Sequence, residues 1–156
     1  MDRLPIRPGD RILEIGPGSG FFSVELAKRI PSGHLELLDV QKEMLAKART
    51  RLEAAGIDNV GFTTADAGRP LPLPEDSFDL AVLITVLGEI PDPLAALAGI
   101  AGVLKPSGVL AIHEQLPDPD MISQGRLRSI VESCGFALQS LHGPRWNYTA
   151  LFRLVH

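Results

Sequence analysis

Ile12-Leu13-Glu14-Ile15-Gly16-Pro17-Gly18-Ser19-Gly20 joins a short apolar run to three glycines at alternate positions, and a helix-like segment begins at Phe21. Arg11 to Ile15 reads as a buried strand carrying a single acid. Glycine lacks a Cβ, so the backbone here is free to turn sharply and to lie directly against a ligand. A strand that enters such a loop and leaves it as a helix is how open α/β sheets build a site for a nucleotide-derived group.

Outward from this loop, strand and helix patterns alternate, as in a parallel sheet with crossover helices. Gly20 to Ile30 reads as a helix stopped by Pro31-Ser32-Gly33, and His34 to Asp39 as a second strand. Gln41 to Ala55 places Met44, Leu45, Ala48, Leu52 and Ala55 on one helical stripe, closed by Gly56. Val60 to Thr64 is a third strand, and the proline-bearing stretch Gly68 to Ser77 stands where a crossover helix would otherwise run. Phe78 to Thr85 is nearly all apolar, as expected of a central strand buried on both faces. Asp92 to Leu104 is expected to be helical with Leu94, Leu97, Ala101 and Leu104 inward, and Val109 to His113 to be a fifth strand. A helix over Ser123 to Cys134 buries Leu127, Ile130, Val131 and Cys134. Phe136 to His142 and Tyr148 to Val155 are separated by too few residues for a crossover, so they must pair as an antiparallel hairpin. The fold expected is α/β: a Rossmann-like, mostly parallel seven-stranded sheet with helices on both faces and a C-terminal antiparallel β-hairpin.

The 156 residues, 45% hydrophobic and 22% charged, have the composition of an ordinary globular domain. A net charge of −4 with scattered basic residues argues against nucleic acid as a partner. Cys134 is the single cysteine, which excludes an intramolecular disulfide and fits a reducing cytoplasm. No apolar run approaches the roughly 20 residues of a membrane span.

The loop alone leaves two cofactor classes open. Dinucleotide sites use Gly-x-Gly-x-x-Gly, whereas here Gly16-x-Gly18-x-Gly20 follows Glu14. Asp39, at the end of the second strand, suits a ribose in either class. Three further features decide between them: Asp66 in Thr64-Ala65-Asp66-Ala67, the turn Leu104-Lys105-Pro106-Ser107-Gly108-Val109-Leu110, and the closing hairpin. In this combination, over about residues 9 to 155, the chain resembles the class I S-adenosylmethionine-dependent methyltransferases. Their first motif reads Glu-x-Gly-x-Gly-x-Gly, and their turn into strand five reads Leu-Lys-Pro-Gly-Gly, where Ser107 here replaces one glycine. The stretches Ser77 to Val82 and Gly88 to Asp92 look like the small-molecule group that includes the ubiquinone and menaquinone biosynthesis methyltransferases. Ile84-Thr85-Val86-Leu87 stands where methyltransferases of DNA adenine and protein glutamine carry Asn-Pro-Pro-Tyr, which argues against those substrates.

The resemblance implies S-adenosyl-L-methionine as cofactor, S-adenosyl-L-homocysteine as product and a small-molecule acceptor. It places Gly16, Gly18 and Gly20 against the methionine portion, Asp39 on the ribose, Val40 on the adenine, and Asp66 with Ala67 at the adenine edge. The backbone around Thr85 would meet the sulfonium. Glu14 is expected to anchor loop amides or the cofactor amine, since an unpartnered buried carboxylate is costly.

Methyl transfer from a sulfonium is an in-line displacement of a good leaving group, so positioning does most of the work, up to about 7–11 kcal/mol. A base is needed only where the acceptor loses a proton. Glu89, His113 and Glu114 are the candidates, although strand alternation forbids His113 and Glu114 from facing the same side. Trp146 and Tyr148 are candidate aromatic linings, with core packing favoured for Tyr148. No grouping of His, Asp and Glu has metal-ligand spacing, so no metal is expected.

Residues 1–156 are expected to form one methyltransferase domain. Its short lead, 1–9, carries Pro5, Pro8 and Gly9 and so no helical cap. A loop or a partner subunit, with a homodimer as one possibility, would then cover the site. Two alternatives are a partner-dependent, cofactor-binding regulatory subunit and a small nucleotide-dependent oxidoreductase.

Overall fold

The computed structural model describes residues 2–156. Its centre is a seven-stranded sheet formed by β1 (Arg11–Ile15), β2 (His34–Asp39), β3 (Val60–Thr64), β4 (Phe78–Ile84), β5 (Leu104–Gln115), β6 (Phe136–His142) and β7 (Asn147–Leu154). In space they run β3-β2-β1-β4-β5-β7-β6. The first five pair in parallel, and β7 is antiparallel to both β5 and β6. The chain moves outward from β1 to β3 and then returns to β4 on the other side of β1. That reversal opens a crevice beyond the carboxyl ends of the strands.

Helices α1 (Phe21–Lys28) and α2 (Lys42–Ala54) cover one face, and α3 (Pro93–Val103) and α4 (Gln124–Glu132) the other. Strand alternation feeds two cores. Ile12, Leu80, Val82 and Ala111 meet Leu26, Leu45 and Leu52, while Leu13, Leu83, Leu110 and Phe152 meet Leu97, Ile100 and Val131. Asp92 caps α3 by accepting the Ala95 N–H at 3.0 Å, with Pro93 opening the helix. Ser123 caps α4 in the same way. At the amino end of the central strands Asp79 ties β1, β4 and β5 together. It accepts the Arg11 N–H at 2.9 Å and pairs with Lys105 at the same distance.

Several boundaries differ from the expectation. β5 begins at Leu104 rather than Val109, because Leu104 pairs with Phe78 before the register shifts to Leu80↔Val109. A 3₁₀ turn at Leu87–Glu89 follows β4, and no element occupies the proline-bearing stretch before it. α3 buries Ala96, Leu97, Ile100 and Val103, leaving Leu94 53% exposed. Its sequence, Pro-Leu-Ala-Ala-Leu-Ala-Gly-Ile-Ala-Gly-Val, has no polar side to fix the rotation, so tertiary packing selects the face. The α2 stripe narrows to Leu45, Ala48 and Leu52, with Ala55 exposed beyond the helix. Cys134 lies beyond α4, half-buried against the core.

Gly20 caps α1 at a φ of +84°, and a Cβ there would stand 2.9 Å from the Ala48 Cα of α2. Gly20→Ala is therefore expected to lower stability by about 2–4 kcal/mol, from left-handed strain and overpacking together. Urea denaturation measures this, and an unchanged midpoint would show that α1 and α2 separate at no cost.

Candidate functional site

A cavity of about 430 Å³ opens at the crevice. Four strand ends build it: Ile15, Gly16 and Gly18 after β1, Leu38 to Gln41 after β2, Ala65 to Ala67 after β3, and Val86 with Glu89 to Pro91 after β4. Met44 closes it from α2. The Gly16 N–H donates to the Leu38 carbonyl at 2.9 Å, fixing the loop to β2. At a φ of +67°, Gly16 also lets the loop approach Val86, whose methyl carbons lie 2.8 Å from where a Cβ would stand. Arg51 of α2 donates to the Ser19 carbonyl at 3.1 Å and holds the loop from behind.

The structure brings Gly16, Gly18, Asp39, Val40, Asp66, Ala67 and Glu89 together on this wall. Val40 is 64% exposed and presents an apolar side chain to the cavity. Asp39 accepts the Gln41 N–H at 2.9 Å. Asp66 accepts the Gly68 N–H at 2.8 Å, an Asx turn that uses one oxygen, and its other oxygen lies 3.7 Å from Arg69.

The remaining candidates stand elsewhere. Gly20 packs on Ala48, not on the cavity. Thr85, at a φ of +54°, donates its N–H to the His113 carbonyl at 2.8 Å and its hydroxyl to the Ile84 carbonyl at 2.7 Å. Glu14 is buried beneath the loop and accepts the Ser23 hydroxyl at 2.6 Å, so its partner is α1 and not a loop amide. His113 and Glu114 face opposite sides of β5. His113 lines a separate apolar cleft of about 40 Å³ with Leu4, Phe22 and Ile84, and its ring nitrogens meet Thr149 and Gln115 at 2.9 and 3.1 Å. Glu114 is fully buried on the α3/α4 face. Tyr148 lies in the core and Trp146 is exposed.

Sequence reading missed Met44, Ile90 and Pro91 on the cavity wall, and Ser23 beneath it. Met44 is part of the helical stripe yet lies at its cavity end, which spacing alone does not distinguish. No grouping of His, Asp and Glu has metal-ligand spacing along the chain, yet the fold brings three acids close together. Carboxylate oxygens of Glu89, Asp118 and Asp120 lie within 4.8 Å of one another among the described residues. These residues come from different loops, so linear spacing does not reveal them.

Burial dominates the electrostatics. It raises Glu14 to about 7 against the opposing Ser23 hydrogen bond. It raises Glu114 to about 7 as well, with Asp118 and Glu89 adding to the effect and the Ile122 N–H opposing it. Glu89 is raised by burial and then by Asp118, Asp120 and Asp39.

The methyltransferase-domain family profile matches residues 6–134. The chain belongs to this methyltransferase-domain family. It is 36% identical to the ubiquinone/menaquinone biosynthesis C-methyltransferase of Roseobacter denitrificans, covering 99% of this chain and 62% of that protein. The enzyme of the same name from Marinomonas sp. is 35% identical over 76% of this chain and 48% of its own length. The chain thus spans about half the length of these relatives. Among solved structures, a SAM-dependent methyltransferase from Aquifex aeolicus superposes with a TM-score of 0.88, at 24% identity over 96% of this chain and 84% of its own. The trans-methyltransferase CalH in complex with SAH gives 0.80, at 22% identity over 96% and 52%. At these identities the superpositions establish a shared fold.

Glu14 and Glu114 carry a signature in the stability of this methyltransferase-domain chain. Each titrates near 4.5 when unfolded and near 7 when folded. Their stabilising neutral forms are fully present below pH 4.5, and the benefit is lost as pH rises to about 7. Each accounts for a fall of up to about 3 kcal/mol across that window. Urea denaturation of Glu14→Gln and Glu114→Gln is expected to show a flatter pH dependence, and wild-type slopes in both would contradict the assignment.

Proposed function

We propose that this chain transfers a methyl group from S-adenosyl-L-methionine to a small-molecule acceptor by in-line displacement at the sulfonium. The observation that carries this reading is the charge of the cavity wall. Asp39, Asp66 and Glu89 line it, and among the described residues no lysine or arginine does. Such a wall favours a cationic sulfonium and disfavours the pyrophosphate of a dinucleotide. Its volume falls within the roughly 300–1,000 Å³ typical of small-molecule sites. Family membership and the open glycine backbone support the same ligand.

In this reading Gly16 and Gly18 lie against the methionine portion, Asp39 holds the ribose, Val40 packs on the adenine, and Asp66 with Ala67 reads its edge. Gly20, Thr85 and Glu14 act from behind: Gly20 keeps α1 close to α2, Thr85 turns the chain after β4, and Glu14 anchors α1 under the loop. Glu89 is the candidate base on this wall, and its raised pKa suits it to taking a proton. Similarity to ubiquinone/menaquinone C-methyltransferases supports a ring carbon of a quinol-type acceptor. Residues 1–156 act as one domain, with the cytoplasm as its compartment and a homodimer as a means of covering the crevice. Among the described residues no helix is long and apolar enough to cross a membrane.

Calorimetry with S-adenosyl-L-homocysteine and with NAD tests the cofactor, and binding of NAD alone would overturn this reading. Asp39→Ala is expected to weaken S-adenosyl-L-homocysteine binding by about 1.5–3 kcal/mol through loss of a charge-assisted contact. With a hydroquinone acceptor, mass spectrometry should detect methylated product from the purified chain alone. Glu89→Gln should then lower kcat by about 10²–10⁴ with a smaller change in KM, and an unchanged kcat would remove Glu89 as the base.

A further inference from the structure

Glu114 and Tyr148 stand directly opposite each other on β5 and β7, and both reach the same residue. The Ile122 N–H donates to Glu114 Oε2 at 3.1 Å, and the Tyr148 hydroxyl donates to the Ile122 carbonyl at 2.5 Å. Glu114 and Tyr148 are 0% and 1% exposed. Both backbone groups of a loop residue are thus held by buried side chains from the sheet beneath. At the other end of this loop the Leu116 N–H donates to the Trp146 carbonyl at 2.9 Å. Between these anchors, the Asp118 side chain and carbonyl accept the N–H groups of Asp120 and Met121 at 2.9 and 3.2 Å and fold the segment into a turn.

That turn buttresses the cavity. The Asp120 carbonyl oxygen occupies the space where a Cβ at Gly88 would stand. Residues 116–122 therefore press directly on the Leu87–Glu89 turn, which with Val86, Ile90 and Pro91 forms one cavity wall.

We propose that Glu114 and Tyr148 are positioning residues that clamp Ile122, hold residues 116–122 against the Leu87–Glu89 turn, and so set the cavity wall without touching the ligand. The methyltransferase reading enters only through the ligand used as a probe. The clamp itself is a property of the chain.

The choice of a carboxyl group makes the clamp sensitive to pH. Glu114 Oε1 is buried and has no hydrogen-bond partner among the described residues. Asp118 from the loop, Glu89 from the turn and the Tyr148 hydroxyl from β7 face the group electrostatically. Ionisation near pH 7 leaves a buried charge on which the Ile122 N–H satisfies Oε2, while Oε1 is out of reach of solvent and has no donor among the described residues. Rehydrating it requires the Ile122 segment to lift, because that segment covers it. The Ile122 N–H bonds a carboxylate more strongly than a neutral acid, but the cost of burying the charge is the larger effect, so the covering segment loosens as the acid ionises.

Amide hydrogen exchange by NMR, corrected for intrinsic rates, tests the clamp on the full chain, alongside calorimetry with S-adenosyl-L-homocysteine. Tyr148→Phe and Glu114→Leu should speed exchange across 116–122 by about tenfold, while β1 and β2 amides keep wild-type protection. Glu114→Gln retains an acceptor for the Ile122 N–H and should keep the protection. Wild-type protection should fall between about pH 6 and pH 8, and that of Glu114→Gln should not. Both clamp-breaking variants should also bind S-adenosyl-L-homocysteine about three- to tenfold more weakly.

Unchanged exchange at 116–122 in Tyr148→Phe and Glu114→Leu would overturn the clamp. Loss of protection spread equally over the whole sheet would also overturn it, by showing a general folding role. Faster loop exchange with unaltered affinity would overturn the link to the cavity. Failure of the wild-type chain to bind S-adenosyl-L-homocysteine would instead sink the methyltransferase reading, and the exchange results would still decide the clamp.

Discussion

The crevice depends on backbone passing where no side chain can stand. At Gly16 the loop after β1 meets Val86, at Gly20 the start of α1 meets Ala48, and at Gly88 the turn after β4 meets the Asp120 carbonyl. Each contact joins segments far apart in sequence and leaves no room for a methyl group. The three together hold the ends of β1, β4 and β5 in fixed relation, with α2 supporting the loop from behind. A cavity with walls drawn from four strand ends keeps its shape only because these approaches are so close. Methyl-sized changes are felt at such contacts because interiors pack at crystal-like density.

The second constraint is electrostatic. Carboxylates collect on the carboxyl side of the sheet: Glu14 under the loop, Asp39, Asp66 and Glu89 on the cavity, and Glu114, Asp118 and Asp120 behind it. Burying acids costs free energy, visible in the raised pKa values of Glu14, Glu89 and Glu114, and at Glu89 and Glu114 neighbouring carboxylates add to the burial cost. A positively charged ligand recovers part of that cost on binding. Asp79, at the amino end of β4, shows the contrast. Burial acts against its charge, but the Arg11 N–H and Lys105 outweigh it and hold its pKa low. An acid held by a cation and a backbone N–H is stabilised in its charged form, whereas Glu14 and Glu114 each have a single hydrogen-bond donor against a larger burial cost.

How much of this is legible in the sequence depends on the range over which each signal acts. The strands, the loop and the hairpin are local. β1 is flanked by Gly16 and Asp10, β4 is an unbroken apolar run, and the Gly143-Pro144-Arg145-Trp146-Asn147 connection is too short for anything but a hairpin. The acids at strand ends are legible for the same reason, since a strand's last residue is known once the strand is. The rotation of α3 is not legible, because a helix of Leu, Ala, Gly and Ile has no polar side to mark its exterior. The joining of Asp118 and Asp120 to Glu89, and the grip on Ile122, are also hidden. They exist only once β4, β5 and β7 lie side by side.

Alternation along β5 then divides the chemistry of the site. His113 points to the α1/α2 face, into a cleft too small for more than a fragment of a ring, with both ring nitrogens already hydrogen-bonded. Glu114 points to the other face, fully buried, and serves the loop. Neither reaches the main cavity, so the strand that looks richest in catalytic side chains acts as a support. Glu89 comes instead from a 3₁₀ turn pinned on one side by Gly88 against the Asp120 carbonyl. The base proposed on this short turn is placed only as well as its buttress, and in the proposed clamp that buttress is held by Ile122 and the pair beneath it. The group best placed for chemistry is therefore tied to side chains that never see the ligand.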